Sequence, residues 1–396
     1  MSEVNAFLKE VHISNYLSLR DVELPLKPLT VLVGPNASGK SNVLSALRLL
    51  NRMIRAEALP PADLIQRLLW AGEANDITFQ LQAEVGEIPA EYELDLRADS
   101  ENRLACERLL IQDIDVISVL DGQGYVKDED GRNKTSYKSK KLALKSAGDY
   151  GDKPITSLLT EFVRDWAFYD FQPRVMRGRV TSIDQLILGE SMETRGSPQL
   201  DDDGSTLTEL LLYWFETDKE RFETVSRSLE KSTNISIDHR IIDEEPQLCL
   251  SEGYKNPIPL QGASDGTLRL VAYYTLLNQP ERPPLIAIEE PERNLHPGAL
   301  HDIAELLERI AGQSQVIITT HSSQLLDAFS TDNPSDSLCI LLLRNCPGQG
   351  TEVINLEDVR RDRQALDGWI ADFGIGSGIF ESGLLQEYVE EPACPA

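Results

Sequence analysis

The sequence predicts an α/β fold in which a mixed sheet carries helices and an inserted α+β lobe interrupts the chain. Residues 29–33 form an apolar strand that runs into a glycine-rich loop, and apolar residues with helical spacing follow from Val43 to Leu50. The apolar runs 285–288 and 316–320 flank a helix of about residues 298–312, which is typical of buried parallel strands joined by a crossover helix. We therefore expect the three strands to share one sheet.

The glycine-rich loop has the form G-x-x-x-x-G-K-S, which cradles phosphate groups at the start of a helix. Gly34 and Gly39 permit backbone turns that a Cβ would block, so successive N–H groups can converge on phosphate oxygens. Lys40 should reach the β- and γ-phosphates, and the Ser41 hydroxyl should bind Mg²⁺. A plain glycine-rich turn, the alternative, would not require the Lys-Ser pair. The expected nucleotide-binding residues are Gly34, Pro35, Asn36, Ala37, Ser38, Gly39, Lys40, Ser41 and Asn42.

Alternating apolar and polar residues predict strands along the first third of the chain. Residues 8–26, 77–96 and 109–120 show this pattern, which together indicates an antiparallel sheet. A polar, Gly- and Lys-rich interval follows at about residues 121–153. A helix is then expected from Thr156 to Trp166.

A longer helix is predicted at about residues 206–231. Asp201 to Thr206 is a strong helix start, and Glu209 stands three residues after Thr206, as in a capping box. The helix offers too few heptads for a coiled coil, so no long coiled-coil arm is expected. The domain that carries the phosphate loop, called the head below, is predicted to be interrupted by an inserted lobe. The predicted domains are residues 1–84 (N-terminal part of the head), 85–245 (inserted lobe), 246–345 (C-terminal part of the head) and 346–396 (an extension packed on the head).

The composition indicates a globular protein. The 396 residues, 41% of them hydrophobic, are enough for a large core and for two or three domains. No run of about 18 apolar residues and no signal-peptide pattern occurs, so we expect a soluble, cytoplasmic protein without a membrane partner. The five cysteines form no C-x-x-C pair, which disfavours a zinc site and a disulfide framework.

The formal net charge of −27 disfavours attraction of the whole surface to DNA. A basic segment at residues 127–145 is the local exception, and it lies close to Tyr125 and Tyr137. It is either a nucleic-acid contact or a solvated hairpin tip, and charge runs are more often the latter. Its crowded lysines are Lys134, Lys138, Lys140, Lys141 and Lys145.

Two carboxylates follow the predicted strand 285–288. Glu289 and Glu290 would lie at the carboxyl edge of the sheet, where ligands bind in open α/β folds. Glu289 should help to hold Mg²⁺, and Glu290 should polarise the attacking water. A pair of surface acids at a strand end is the alternative. His321 closes the next strand, and it is either a γ-phosphate sensor or a structural histidine.

Four motifs stand in a fixed order along the chain. They are G-P-N-A-S-G-K-S-N at 34–42, Q-G-A-S-D-G-T at 261–267, E-E-P-E-R-N-L-H-P at 289–297 and T-H-S at 320–322. Together they resemble the ABC-type ATPases, specifically the RecF/SMC-like branch and within it a bacterial AAA-family, AAA_21-like group. The resemblance spans nearly the whole chain. It implies a P-loop NTPase head of the ABC type.

The resemblance also implies a site that two subunits share. In that family the Ser-x-Gly signature of one subunit closes over ATP held in the phosphate loop of the other, so it implies a nucleotide-dependent homodimer. The implied roles are catalytic for Lys40, Glu290 and His321, ATP-binding in trans for Ser264 and Gly266, and Mg²⁺-binding for Ser41 and Glu289.

The chain departs from the family pattern in several places. The usual signature is Leu-Ser-Gly-Gly, whereas Ala263 and Asp265 flank the serine here. Glu289 stands where Asp is usual, and His296 stands where many relatives have the Asp of a dimer contact. Three glutamines compete for the family's Gln-loop: Gln80, Gln82 and Gln172.

These observations predict an ATP-hydrolysing switch, with ATP and Mg²⁺ as cofactors, that joins two heads and releases them on hydrolysis. Three roles remain open. They are DNA repair or maintenance, an anti-phage or stress module that controls a separate effector, and the nucleotide-binding subunit of a transporter. The expected partners are a second copy, DNA and an effector protein.

Overall fold

Three sheets and the helices around them form the structure. This computed structural model describes residues 6–56, 59–72, 76–98, 103–138, 141–146, 152–177, 198–242, 245–251, 253, 258–329 and 337–383. The strands are β1 (Ala6–Tyr16), β2 (Leu19–Pro25), β3 (Leu29–Val33), β4 (Asp76–Val85), β5 (Ile88–Arg97), β6 (Leu104–Ile111), β7 (Ile114–Leu120), β8 (Gln123–Lys127), β9 (Lys134–Lys138), β10 (Ala167–Tyr169), β11 (Ser236–Ile242), β12 (Glu245–Ser251), β13 (Ile258–Pro259), β14 (Leu285–Glu289), β15 (Gln315–Thr320), β16 (Leu338–Cys346) and β17 (Gly350–Asn355).

The helices are short. They are α1 (Lys40–Arg55), α2 (Ala62–Leu68), α3 (Ala143–Ser146), α4 (Pro154–Arg164), α5 (Pro173–Met176), α6 (Leu207–Thr217), α7 (Lys219–Thr233), α8 (Asp265–Leu277), α9 (Leu300–Ala311), α10 (Ser323–Ala328), α11 (Leu356–Asp362), α12 (Gln364–Phe373) and α13 (Ile375–Phe380). The longest helix in the described ranges is α1, with 16 residues.

The central sheet has six strands and positions the candidate site. Its order is β10-β14-β15-β3-β16-β17. The first five strands are parallel to their neighbours, and β17 pairs antiparallel with β16. All five residues of β3 are buried, as expected for a parallel sheet that is covered on both faces. The prediction that the phosphate-loop strand shares a sheet with strands 285–288 and 316–320 is confirmed.

Alternate residues of the central sheet pack into two separate cores. Val31 and Val33 belong to the core that includes α6 to α9, whereas Leu32 belongs to the core that includes α1. This separation follows from the pleat, which points successive side chains to opposite faces. Leu47 and Leu50 of α1 are fully buried in the second core. Helix α1 therefore lies in a layer between the central sheet and a second sheet.

The second sheet is antiparallel and has eight strands, in the order β2-β1-β4-β5-β6-β7-β8-β9. Its inner residues, such as Val11 and Tyr92, are buried in the core around α1. The predicted boundary between residues 84 and 85 falls inside β4, which pairs with β5 along its length. The division into head and lobe remains a prediction, and the sheet itself runs across its first boundary.

The prediction of a single helix at residues 206–231 is wrong, because the structure has two helices there. Helix α6 ends at Thr217, and Asp218 then caps α7 by accepting from Arg221 N at 3.2 Å. Aspartate is a favoured N-cap because its carboxylate satisfies a free N–H at the helix start. Thr206 does not play its predicted part in a capping box at α6, since its hydroxyl donates to Gln199 O at 2.9 Å and does not cap the helix.

Candidate nucleotide site

The phosphate loop, residues 34–42, joins β3 to α1 and contains two left-handed residues. Ala37 has φ of 64° and Gly39 has φ of 106°, and such turns direct successive N–H groups into a concave anion-binding nest. A Cβ added at Gly34 would lie 2.3 Å from Leu343 O, and one added at Gly39 would lie 2.3 Å from Thr351 Oγ1. The fold therefore requires glycine at both positions.

A chain of side-chain hydrogen bonds supports the phosphate loop, and no local sequence pattern predicts it. Asn42 Nδ2 donates to Ser18 Oγ at 2.8 Å, and Ser18 Oγ lies 2.7 Å from Thr351 Oγ1. Thr351 Oγ1 donates in turn to Ser38 O at 3.2 Å. The Asn42 amide thus helps to hold the loop in place through Ser18, and its contact with a nucleotide remains a prediction.

Lys40 lies across its own loop. Its ammonium donates to Gly34 O at 2.7 Å and to Pro35 O at 2.9 Å. Burial lowers the pKa of Lys40, and the nearby glutamates of segment 289–292 oppose that shift. A phosphate would offer this ammonium charged acceptors, which form stronger hydrogen bonds than carbonyl groups.

The two residues predicted to bind Mg²⁺ are in direct contact. The Ser41 hydroxyl, in the first turn of α1, donates to Glu289 Oε1 at the end of β14. Both offer hard oxygen ligands, and Mg²⁺ usually takes one or two protein oxygens and completes its shell with phosphate and water. Ser41 and Glu289 therefore fit this ion by donor type and by their proximity.

Glu290 follows in a left-handed conformation, with φ of 43°. Its N–H donates to Thr319 O at 3.1 Å, which ties the turn to the end of the β15 strand. Its carboxylate accepts from Arg293 Nη2 at 2.8 Å and lies 3.3 Å from His321 Nδ1. Burial raises the pKa of Glu290, but the hydrogen bond and charge of Arg293, with His321 and Lys40, lower it below its usual value. The carboxylate is therefore ionised at neutral pH and able to accept a proton.

Glu292 is a further residue of the site that was not among the predicted site residues. It accepts from Thr320 Oγ1 at 2.6 Å and from His321 N at 3.3 Å, and it is 9% exposed. It thus links the turn after β14 to the segment after β15. Arg293 reaches further, and its Nη1 lies 3.5 Å from Asp170 in the loop after β10. The motif Pro-Glu-x-x-Leu-His-Pro was the available signal for Glu292, since it places a third glutamate two residues after the Glu289–Glu290 pair.

The signature loop, residues 261–267, begins α8. Ser264 Oγ accepts from Thr267 N at 3.1 Å and so caps that helix. A Cβ added at Gly266 would lie 2.7 Å from Asn294 O, and Asn294 Nδ2 donates to Asp265 Oδ2 at 3.4 Å. These contacts place the signature beside the segment that follows β14.

The sheet topology separates the three candidate Gln-loop residues. Gln80 Nε2 donates to Glu93 at 3.3 Å, and Gln82 Nε2 donates to Glu10 at 2.9 Å, both within the antiparallel sheet. Gln172 instead follows β10, the parallel neighbour of β14. Because the carboxyl ends of parallel strands meet at one edge, Gln172 follows a strand that ends at the same edge as β14.

The comparison with known families decides the classification. Residues 29–327 match the family model described as "AAA domain, putative AbiEii toxin, Type IV TA system". The chain belongs to this AAA-domain family. A 42-residue segment of this chain is 48% identical to the OLD nuclease of Thermus scotoductus, covering 11% of this chain and 8% of that protein. A 116-residue segment is 29% identical to the DNA replication and repair protein RecF of Trichodesmium erythraeum, covering 29% of this chain and 28% of that protein. The alignments therefore span less than a third of either relative.

The fold of this AAA-domain chain is also that of an SMC head. A solved Smc head bound to the C-winged helix domain of ScpA aligns with a TM-score of 0.52 and 13% identity, covering 90% of this chain and 99% of that one. Family and fold confirm the predicted RecF/SMC-like ABC-type ATPase head. Within the described ranges, no helix combines the length and the apolar character needed to cross a bilayer.

Proposed function

We propose that this chain is an ATP-hydrolysing switch that pairs head to tail with a second copy of itself. One observation carries the proposal. The phosphate loop, the Ser41–Glu289 contact, and the Glu290 carboxylate beside His321 converge at one edge of the central sheet. That arrangement supplies an anion cradle, hard oxygen ligands and a base in one place, which are the parts that phosphoryl transfer to water requires.

Each residue has a defined task in this proposal. The loop N–H groups and Lys40 hold the phosphates of ATP, and Ser41 and Glu289 hold Mg²⁺. The ion would neutralise phosphate charge when bound. Glu290 is ionised at neutral pH and accepts a proton from the water that attacks the γ-phosphate, as ADP leaves. His321, 3.3 Å from Glu290 Oε1, orients that carboxylate, and we assign it the role of γ-phosphate sensor.

A second copy completes the site. Ser264 caps α8, and Gly266 in the first turn of that helix lies against Asn294 of its own chain. Because the signature of ABC-type ATPases acts on the nucleotide of the neighbouring subunit, we assign both residues to the nucleotide that the partner copy holds. Gln172 is the Gln-loop residue in this scheme because its strand neighbours β14. ATP then acts as a switch because it binds the paired state better than the separate one.

The decisive experiment compares the native chain with Glu290→Gln. We expect the native ATPase rate to rise faster than linearly with protein concentration, because each site needs two copies. Glu290→Gln should still bind ATP, lose turnover by about a hundredfold or more, and accumulate as a dimer in light scattering with ATP. Glu223→Gln, the same change on the exposed face of α7, is the matched control. A rate strictly proportional to protein that Glu290→Gln leaves unchanged would contradict the proposal.

We propose DNA repair or maintenance as the process that this switch serves. The identity with RecF segments and the lysines of the β8–β9 hairpin support this role. A second role, control of a separate effector in an anti-phage or stress module, is favoured by the toxin-antitoxin description of the family and by the net charge of −27. Stimulation of the ATPase by duplex DNA would support the first role. A DNA-independent rate, with a toxin or nuclease encoded next to this chain, would support the second.

A further inference from the structure

Arg177 stands directly after α5 and binds the signature loop at three points. Its Nε donates to Gln261 O at 3.2 Å, and its Nη2 donates to Ala263 O at 2.8 Å and to Asp265 Oδ1 at 2.6 Å. These acceptors flank Ser264 on both sides. One guanidinium therefore fixes the backbone before the signature serine and the side chain after it.

Only an arginine has the geometry for these contacts. A guanidinium presents five N–H donors in a rigid plane, whereas the ammonium of lysine is a compact point charge on a flexible stem. Asp265 also accepts from Asn294 Nδ2 at 3.4 Å, so its carboxylate is held from two sides. With Asp265 and Ala263 fixed, the Ser264 hydroxyl is held where it caps α8.

The same short segment reaches the edge of the central sheet. Helix α5 begins at Pro173, directly after Gln172, and Gln172 lies three residues after the end of β10. Gln172 is itself held, since its N–H donates to Asp203 O at 3.0 Å. Residues 172–177 thus connect the edge that carries Glu289 to the signature loop of the same chain.

We propose that Arg177 is a positioning residue that sets the conformation of the signature loop and so governs the ATP site of the partner copy. The inference rests on the proposed two-subunit site. The side-chain hydrogen bonds described for Arg177 all go to the signature loop, and none goes to the phosphate loop of the same chain. Its loss should therefore spare nucleotide binding by the separate copy and impair pairing and turnover.

The first test measures three properties of Arg177→Ala and Arg177→Lys. We expect binding of a fluorescent ATP analogue at low protein concentration to stay within about twofold of the native value. ATP-dependent dimerisation in light scattering, and turnover, should each fall by about tenfold or more, because charge-assisted bonds to the loop are lost. Lysine should restore little of either. Arg227→Ala on the exposed face of α7 is the matched control, and thermal unfolding verifies that each variant is folded.

The second test mixes Arg177→Ala with Lys40→Ala. Each composite site takes its phosphate loop from one copy and its signature from the other, so the mixed pair contains one site with both parts intact. We expect the mixture to regain turnover that neither variant shows alone. No recovery in the mixture, or native turnover by Arg177→Ala, would overturn the role of Arg177. The proposed function would still stand if the native rate rises faster than linearly with protein concentration. A native rate strictly proportional to protein would overturn both.

Discussion

At the scale of single residues, Glu290, the proposed general base, is held by an arginine three positions further along the chain. Arg293 donates to Glu290 Oε2 through Nε at 3.1 Å and Nη2 at 2.8 Å, and Asp170 lies 3.5 Å from its Nη1. A nearby positive charge favours the ionised carboxylate, and burial disfavours it. In Glu290 the cations outweigh burial, so its pKa is lowered.

Arg293→Ala should shift the acid limb of the kcat–pH profile to higher pH. The substitution removes the hydrogen bond and charge that lower the pKa of Glu290, so burial then dominates and the pKa rises. A larger fraction of Glu290 is then protonated at mildly acidic pH, and kcat should fall there more than at pH values near about 8. The measurement is kcat at saturating ATP across this range. Arg360→Ala, which breaks a surface pair with Asp367, is the control, and an unmoved acid limb would count against Glu290 as the base.

The sequence made some of these residues predictable and others not. Lys40 and Ser41 lie within one local motif, and the Glu289–Glu290 pair directly follows an apolar strand, so short patterns identify them. Thr351 supports the same loop from a strand 313 residues beyond Ser38, and no local pattern connects the two. Arg177 lacks a motif as well, because its acceptors are mainly backbone carbonyls.

At the scale of elements, β6 is attached to α3 through a buried acid. Glu107 is fully buried, and its carboxylate accepts from Ala143 N at 2.6 Å, Leu144 N at 2.8 Å and Tyr92 Oη at 3.0 Å. Burial raises the pKa of Glu107 to about 7, although these hydrogen bonds oppose the shift. The strand therefore holds the start of the helix with a group that titrates near neutrality.

Glu107→Gln should flatten the pH dependence of stability. The folded protein binds the Glu107 proton more tightly than the unfolded chain, so this group's contribution is present below its ordinary pKa and is lost as pH rises through about 7. The contribution is of the order of 3 kcal/mol for a shift of this size. Urea unfolding at pH 5 and pH 8 should show that the native chain loses this stability relative to the variant. Glu91→Gln, on the exposed face of β5, is the control, and equal pH dependence in all three proteins would contradict the expectation.

Elements were predictable where one periodicity governs them. The apolar β3, β14 and β15 strands and the alternating β1 and β4 strands appear where their patterns indicate them. The break at Asp218 was missed because apolar residues continue on both sides of it, from Trp214 to Phe222. There the capping preference of one aspartate outweighs a helical pattern that spans it.

At the scale of the whole molecule, charge is distributed unevenly. Glutamates such as Glu10, Glu23, Glu91 and Glu93 line the polar face of the antiparallel sheet. The β8–β9 hairpin is less acidic, because its four cations (Lys127, Arg132, Lys134 and Lys138) slightly outnumber its three acids (Asp128, Glu129 and Asp130). Lys127 Nζ and Lys134 Nζ lie 4.9 and 3.7 Å from the centre of the Tyr125 ring. The Lys145 ammonium is bound elsewhere, since it donates to Arg55 O at 3.1 Å at the end of α1. Lys140 lies outside the described residues.

The double substitution Lys134→Glu, Lys138→Glu should weaken DNA binding by about tenfold or more. It should also make the plot of log affinity against log salt concentration less steep by about two, because each lysine that contacts a phosphate releases a counterion from the DNA. Fluorescence anisotropy with labelled duplex DNA from about 50 to 200 mM salt measures both quantities. Lys219→Glu with Lys231→Glu makes the same charge change on α7 and serves as the control. Equal loss in both double variants would mean that overall charge, and not the hairpin, determines DNA affinity.

The hydrogen bond from Thr351 to Ser38 forms late in synthesis of the chain. A ribosome releases the phosphate loop early, but the threonine that completes its support emerges 313 residues later. Until then, the nascent chain carries the nucleotide motif without the β17 strand beneath it. We therefore expect a chain that stops before β17 to bind ATP more weakly than the full chain, because its phosphate loop lacks this support.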